Sequence, residues 1–241
     1  MPIFADVFLF KTKNKTHFFT SNLSQKPVQN TAPEVAQHIA ALLLSIDAVR
    51  LSPAAPFRWS SGWQSPIYCD NRLALSYPNV RTDVKKALAD AIRQHFDSAE
   101  VIAGVATAGI PQGALVADLL NLPFIYVRPE PKSHGMGNQI EGRLLAGQKV
   151  VLIEDLVSTG GSSLKVVEVL RQAGAEVLGM AAIFTYGFEV AAENFRQKDV
   201  PLVCLSNYDC LIQEALKLDY VDASQLETLT AWRHNPAQWG A

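Results

Sequence analysis

The chain has 241 residues, is 49% hydrophobic, and carries 21 Lys and Arg against 23 Asp and Glu, a formal net charge of −2. That is enough apolar material for one sizeable α/β core, and the interspersed charges offer no basic stripe for a nucleic-acid backbone. No apolar run approaches the roughly 20 residues that span a bilayer, so neither nucleic acid nor a membrane is expected as a partner. Cys69, Cys204 and Cys210 form no CxxC pair and are expected as free thiols in a reducing, cytoplasmic compartment. The five histidines show no metal-ligand spacing.

Residues 1–30 read as a variable extension or an edge ribbon. Asp6 interrupts the opening apolar stretch, and the lysines follow rather than precede it, the wrong order for a secretory signal. From residue 31 to 241 the pattern is that of one domain. Thr31-Ala32-Pro33-Glu34 has the form of a capping box, and Val35, Ile39, Leu42, Leu43 and Ile46 follow at helical spacing. A loop rich in Pro, Trp and Ser runs from Ser52 to Asp70. Val80, Val84, Leu88, Ala91 and Ile92 predict a second amphipathic helix.

Strands and helices then alternate. Strands are expected at Val101–Val105, Phe124–Val127, Val150–Ile153, Val177–Phe184 and Val200–Leu205. Helices are expected at Gly109–Leu120 and at Ser162–Ala173, the latter closed by Gly174. Pro129 to Gly147 is a long polar loop, and helices at Leu211–Leu218 and Gln225–Trp232 close the chain. Such alternation implies βαβ units and a mostly parallel sheet with helices on both faces. Residues 31–75 and the C-terminal helices are expected to form a hood or flank.

In such sheets ligands bind beyond the carboxyl ends of the strands. Glu154 and Asp155 follow the apolar run Val150–Ile153, and Leu156 to Gly161 leads into a helix beginning at Ser162 and Ser163. Backbone N–H groups at a helix start are unpaired and carry partial positive charge. Gly160 and Gly161 allow close wrapping of an anion, and the Ser and Thr hydroxyls add donors. The loop lacks the GK[ST] ending of a P-loop and the GxGxxG of a dinucleotide site. An ordinary strand–turn–helix corner would need no adjacent acids. Two carboxylates beside a phosphate cradle suit the vicinal hydroxyls of a phosphorylated ribose.

IEDLVSTGGSS resembles the phosphoribosyl pyrophosphate (PRPP) signature of the type I phosphoribosyltransferases. Three further segments are similar to the orotate phosphoribosyltransferases: Phe57 to Arg72 with its SG-x-x-SP-x-Y pattern, Gly104 to Pro111 as a pyrophosphate loop, and Tyr126 to Gly142 as a catalytic loop. The resemblance covers about residues 31 to 239. It implies a type I phosphoribosyltransferase-like α/β fold with a small N-terminal hood. The implied activity is transfer of the 5-phosphoribosyl group from PRPP to orotate, yielding orotidine 5′-monophosphate and pyrophosphate.

The resemblance assigns roles residue by residue. Lys132, His134 and Asp155 would be catalytic. Arg128, Lys132, His134, Glu154, Asp155 and the stretch Leu156, Val157, Ser158, Thr159, Gly160, Gly161 and Ser162 would bind PRPP, with Thr107 and Ala108. Ser158, Ile67 and Tyr68 would meet orotate. Mg²⁺ would be bound mainly through PRPP, with no metal held by the protein alone, and the assembly would be a homodimer that exchanges loops. Read without the resemblance, Arg128, Lys132 and His134 lie on a glycine-hinged loop that could clamp pyrophosphate. The chain departs from the pattern at three places. Gln64 stands where many members have lysine, Thr107-Ala108 replaces a Tyr-Lys pair, and Phe184-Thr185-Tyr186-Gly187 carries no arginine for orotate. A purine-type transferase and a non-catalytic PRPP sensor are the rival readings; SPIY and KSHG argue against the first, the absence of a basic module against the second.

Overall fold

The computed structural model describes residues 28–59, 62–130 and 138–239. Its centre is a seven-stranded sheet. In chain order its strands are β1 (Val28–Asn30), β6 (Val101–Val105), β7 (Phe124–Val127), β8 (Ile140–Glu141), β9 (Lys149–Val157), β10 (Glu176–Thr185) and β11 (Leu202–Asn207). Their spatial order is β1-β11-β10-β9-β6-β7-β8, and every pairing is parallel except β7–β8. Two small antiparallel ribbons make the hood: β2 (Val49–Leu51) pairs with β5 (Ile67–Cys69), and β3 (Phe57–Arg58) pairs with β4 (Gln64–Ser65).

Both faces of the sheet are covered, as an apolar parallel sheet requires. One face packs on α1 (Pro33–Ser45), α2 (Pro78–His95), α3 (Gly109–Leu120), α6 (Tyr208–Lys217) and α7 (Leu226–His234). The other packs on α4 (Gly161–Gln172) and α5 (Glu189–Gln197). Strand β9 shows why its apolar run is continuous. Val151 and Ile153 point into the first cluster, Val150 and Leu152 into the second, and all four are 0% exposed.

Strand order reverses between β6 and β9, so α3 leaves on one face and α4 on the other. Their N-termini open on the same crevice, the place where a sheet of this kind takes a ligand. The approach of α3 to β9 is close enough to demand glycine. A Cβ on Gly109 would lie 2.3 Å from the Ile153 carbonyl oxygen, and one on Gly104 would lie 2.8 Å from the Gly109 oxygen.

The chain-order expectations hold for most elements, with four differences. Strand β9 runs four residues past Ile153, because Val157 is itself buried and pairs with Thr185. The expected capping box at Thr31–Glu34 is absent. Ala32 caps α1 without a side-chain bond, and the Thr31 hydroxyl instead donates to the Leu205 carbonyl at 2.8 Å. Val28–Asn30, in the stretch read as a variable extension or an edge ribbon, form the edge strand beside β11, so the sheet takes in residues ahead of residue 31. Helix α5, not anticipated, is held to the sheet by Ala191 and Phe195 one turn apart.

A single aromatic hub ties the hood and the C-terminus to this frame. Trp232 is fully buried, with ring centroids 5.4–5.7 Å from those of Trp59, Tyr186, Phe188 and Tyr208. Its indole N–H donates to the Gln64 carbonyl at 3.3 Å. Trp59 is thus a packing anchor that also reaches the crevice.

Gly109→Ala is expected to destabilise the protein by about 1–3 kcal/mol, the usual cost of overpacking, because backbone on both sides must move. Urea unfolding measures it; a wild-type midpoint would contradict this packing.

Candidate active site

The end of β9 carries the two acids in different environments. Glu154 is 6% exposed. Its Oε2 accepts from the Ser163 hydroxyl on α4 at 2.7 Å, and its Oε1 accepts from the Asp155 N–H at 3.0 Å. Burial, and then the Asp155 charge, push the Glu154 carboxyl well above its usual range. Asp155 is half-buried and lies toward the hood, where its charge raises the Cys69 thiol and the Tyr186 phenol, both already raised chiefly by burial. Ile153 and Leu156, three residues apart, both pack on the hood side, so strict two-residue alternation lapses where the acids stand.

The hood is pinned to this strand by one buried side chain. Asn71, fully buried, donates from Nδ2 to the Asp155 carbonyl at 2.7 Å and accepts the Cys69 S–H at 3.2 Å. Asn71 falls within the Phe57–Arg72 segment, and nothing local in the sequence marks it for this task.

Beyond Val157 the chain makes a tight turn into α4. Gly160 has φ 78°, and a Cβ there would lie 2.5 Å from the Phe195 ring, so both backbone and packing require glycine. Asn194 on α5 donates to the Thr159 carbonyl at 2.9 Å, holding the turn from outside. No side chain caps α4, which leaves its first-turn N–H donors to an anion. Ser158 and Thr159 are half-buried and Ser162 is exposed at this mouth. Val157 is different: its side chain is fully buried and its carbonyl accepts from the Thr185 hydroxyl at 3.1 Å, so it belongs to the frame.

Thr107 and Ala108 form the turn from β6 into α3, after a cis Ala106–Thr107 peptide, and α3 too lacks a side-chain cap. Arg128 follows β7 directly. Its N–H donates to the Gln139 carbonyl at 2.9 Å, and Gln139 Nε2 returns a bond to the Arg128 carbonyl at 3.2 Å. The two ends of the expected catalytic loop are therefore tied together beside the crevice. Lys132 and His134 lie outside the described residues.

Between hood and β9 is a cavity of about 420 Å³, lined by Arg58, Trp59, Tyr68, Cys69, Leu156, Ser158 and Tyr186. Ser158 and Tyr68, both expected at the base, both line it. Ile67 does not line it: its side chain is fully buried, its N–H donates to the Ser65 hydroxyl, and its carbonyl accepts from that hydroxyl and from Trp59. Two uncapped helix starts, a carboxylate and an open, aromatic-sided cavity thus meet within one crevice, an arrangement suited to a sugar phosphate joined to a flat ring.

Residues 75–213 match the phosphoribosyl transferase domain. The chain is 59% identical over 203 residues to an orotate phosphoribosyltransferase of Cytophaga hutchinsonii, covering 84% of this chain and 97% of that one. It is 55% identical to the orotate phosphoribosyltransferase of Listeria innocua, covering 86% and 99%. The crystal structure of the orotate phosphoribosyltransferase from Aeropyrum pernix superposes with a TM-score of 0.66 at 33% identity, over 76% of this chain and 99% of that one. The chain belongs to the type I phosphoribosyltransferase family, and within it to the orotate phosphoribosyltransferases.

Glu154→Gln separates the cost of the buried acid from its use. A carboxyl whose folded pKa is raised contributes stability below its ordinary pKa and loses it as pH rises toward the folded value. The variant should therefore melt close to wild type at about pH 4 and increasingly above it as the pH is raised from there, while losing activity. Melting curves across that range, with a rate assay, check this; a stability difference independent of pH would contradict it.

Proposed function

We propose that the residues at the end of β9 carry out the reaction of this family: PRPP and orotate give orotidine 5′-monophosphate and pyrophosphate, a step of pyrimidine biosynthesis. The observation that carries the residue assignment is the meeting of the uncapped α4 start, Asp155 and the Ser158–Tyr68 cavity in one crevice. Breaking the bond between C1′ and the pyrophosphate oxygen leaves positive charge on the ribose and negative charge on the leaving group. Groups that stabilise both lower the barrier.

Asp155 accepts from a ribose hydroxyl and places negative field near the cationic sugar. Glu154, fixed by Ser163, shapes the strand end and adds to that field when ionised. The turn from Ser158 to Ser162 holds the 5′-phosphate with backbone N–H groups and hydroxyls. Thr107, Ala108 and the start of α3 receive pyrophosphate, with Arg128 at the mouth of its loop and, by resemblance, Lys132 and His134 on it. Orotate arrives already anionic through its carboxylate, so no general base is assigned; its ring N–H proton passes to the departing pyrophosphate as the new bond forms. Its nitrogen lone pair forms the new bond to C1′ as pyrophosphate leaves with the electron pair of the old one.

Enzymes of this family generally use Mg²⁺ with PRPP. Among the described residues no three His, Cys, Asp or Glu side chains converge, and Glu154 is engaged by Ser163 and the Asp155 N–H. That donor set fits an ion held mainly by PRPP oxygens, with Asp155 as the protein carboxylate beside it. When bound, Mg²⁺ would neutralise charge on the leaving pyrophosphate.

The remaining assignments rest on the resemblance and the sequence. They are a homodimer sharing the Lys132 loop, a cytoplasmic setting, and residues 31–241 as the transferase domain with a variable extension before it. No helix among the described residues is long and apolar enough to cross a membrane.

Folded protein with orotate, PRPP and Mg²⁺ should consume orotate absorbance and release pyrophosphate in equal amount. Lys132→Ala should lower turnover on the order of 10²-fold with little change in melting temperature. A Lys132→Ala protein that is fully active, or one that fails to fold, would remove Lys132 from the chemistry.

A further inference from the structure

The cavity between hood and β9 has an electrostatic problem that the assigned residues do not solve. Orotate differs from uracil by a carboxylate, so it must bring that charge into a space already flanked by acids. Asp155 and Asp70 both act on the Cys69 thiol in its wall. The end of β10 offers Thr185 and Tyr186, neither of them a cation, and the neighbouring Arg233 is taken up by the Tyr186 and Gly187 carbonyls and by Asp209. An unpaired carboxylate in such a place costs more than its contacts return.

Three arginines of the hood could answer it, and two are committed elsewhere. Arg72 is held by Asp70 in a two-point pair, 2.6 Å from Nε to Oδ1 and 2.9 Å from Nη2 to Oδ2. Arg50 lies over the rings of Phe57 and Tyr68, 5.7 and 5.3 Å from their centroids, and so supports Tyr68 from outside the cavity. Arg58 is the third. It is exposed on β3, lines the cavity with Tyr68 and Ser158, and its side chain has no hydrogen bond, ion pair or ring contact among the described residues. Pairing of Arg58 with Gln64 across the β3–β4 ribbon fixes its backbone at the cavity rim.

We infer that Arg58 is the residue that recognises the acceptor's carboxylate, and so selects orotate over a base lacking that group. A guanidinium matches a carboxylate with two parallel N–H donors, which a single hydroxyl such as Ser158 cannot. Ser158 then takes one edge of the carboxylate and Tyr68 the ring. The inference deepens the orotate reading and rests on it.

Steady-state kinetics of Arg58→Ala, Arg58→Gln and Arg58→Lys test it, with orotate and PRPP varied separately and uracil as competing acceptor. Loss of a charge-assisted pair should raise KM for orotate about tenfold or more in the Ala and Gln variants. KM for PRPP should stay within about twofold, Lys should recover part of the loss, and the preference for orotate over uracil should fall. A rise in KM for PRPP alone would assign Arg58 to pyrophosphate, and unchanged constants would leave it outside the site; either overturns the inference. Unfolding of both the Ala and Gln variants would make Arg58 structural and overturn it equally. A folded wild type with no orotate turnover would instead overturn the function itself.

Discussion

The site depends on how one strand leaves the core. Strand β9 is buried on both faces through Ile153 and then continues as Glu154-Asp155-Leu156-Val157 between helices that depart on opposite sides. Its position at the reversal of strand order gives it two helix N-termini as neighbours, α3 against its backbone and α4 directly after it. Partial positive charge from both converges where the strand supplies carboxylates. The glycines at 104, 109 and 160 are the steric conditions for that convergence, since each faces backbone or an aromatic ring where a Cβ would stand.

Around this strand end the two acids divide the work. Glu154 looks inward, satisfied by Ser163 and the Asp155 N–H, and keeps a proton more readily than an ordinary carboxyl. Asp155 looks toward the hood, where its backbone carbonyl is gripped by Asn71 and its charge is felt by Cys69 and Tyr186. Burying one acid is costly, and such a cost is commonly carried at functional sites. The aromatic hub around Trp232 supplies compensating packing, joining hood, β10 and the C-terminal helices behind the cavity.

Much of this was legible in the sequence, for a physical reason. Central parallel strands need unbroken apolar runs, and helix starts on anions need small residues, so Val150–Ile153 and Ser158–Ser163 stand out by composition. What was not legible depends on partners far along the chain. Thr31 looks like a helix cap but bonds to Leu205, 174 positions away. Ile67 sits in the expected base-binding motif, yet its side chain fills the core while Tyr68 beside it faces the cavity. Helix α5 is short and interrupted by polar residues, but its Phe195 and Asn194 brace the Gly160 turn. Arg58 carries no local signal; only the commitments of Arg50 and Arg72 mark it out.

We propose the β9 end, between two uncapped helix starts, as the place where the phosphoribosyl donor lies. A crystal structure of the protein with PRPP and Mg²⁺ tests this most directly. The 5′-phosphate should sit on the backbone N–H groups of residues 158–162, with a ribose hydroxyl bonded to Asp155. Density for the 5′-phosphate elsewhere, with the Gly160 turn unoccupied, would contradict it.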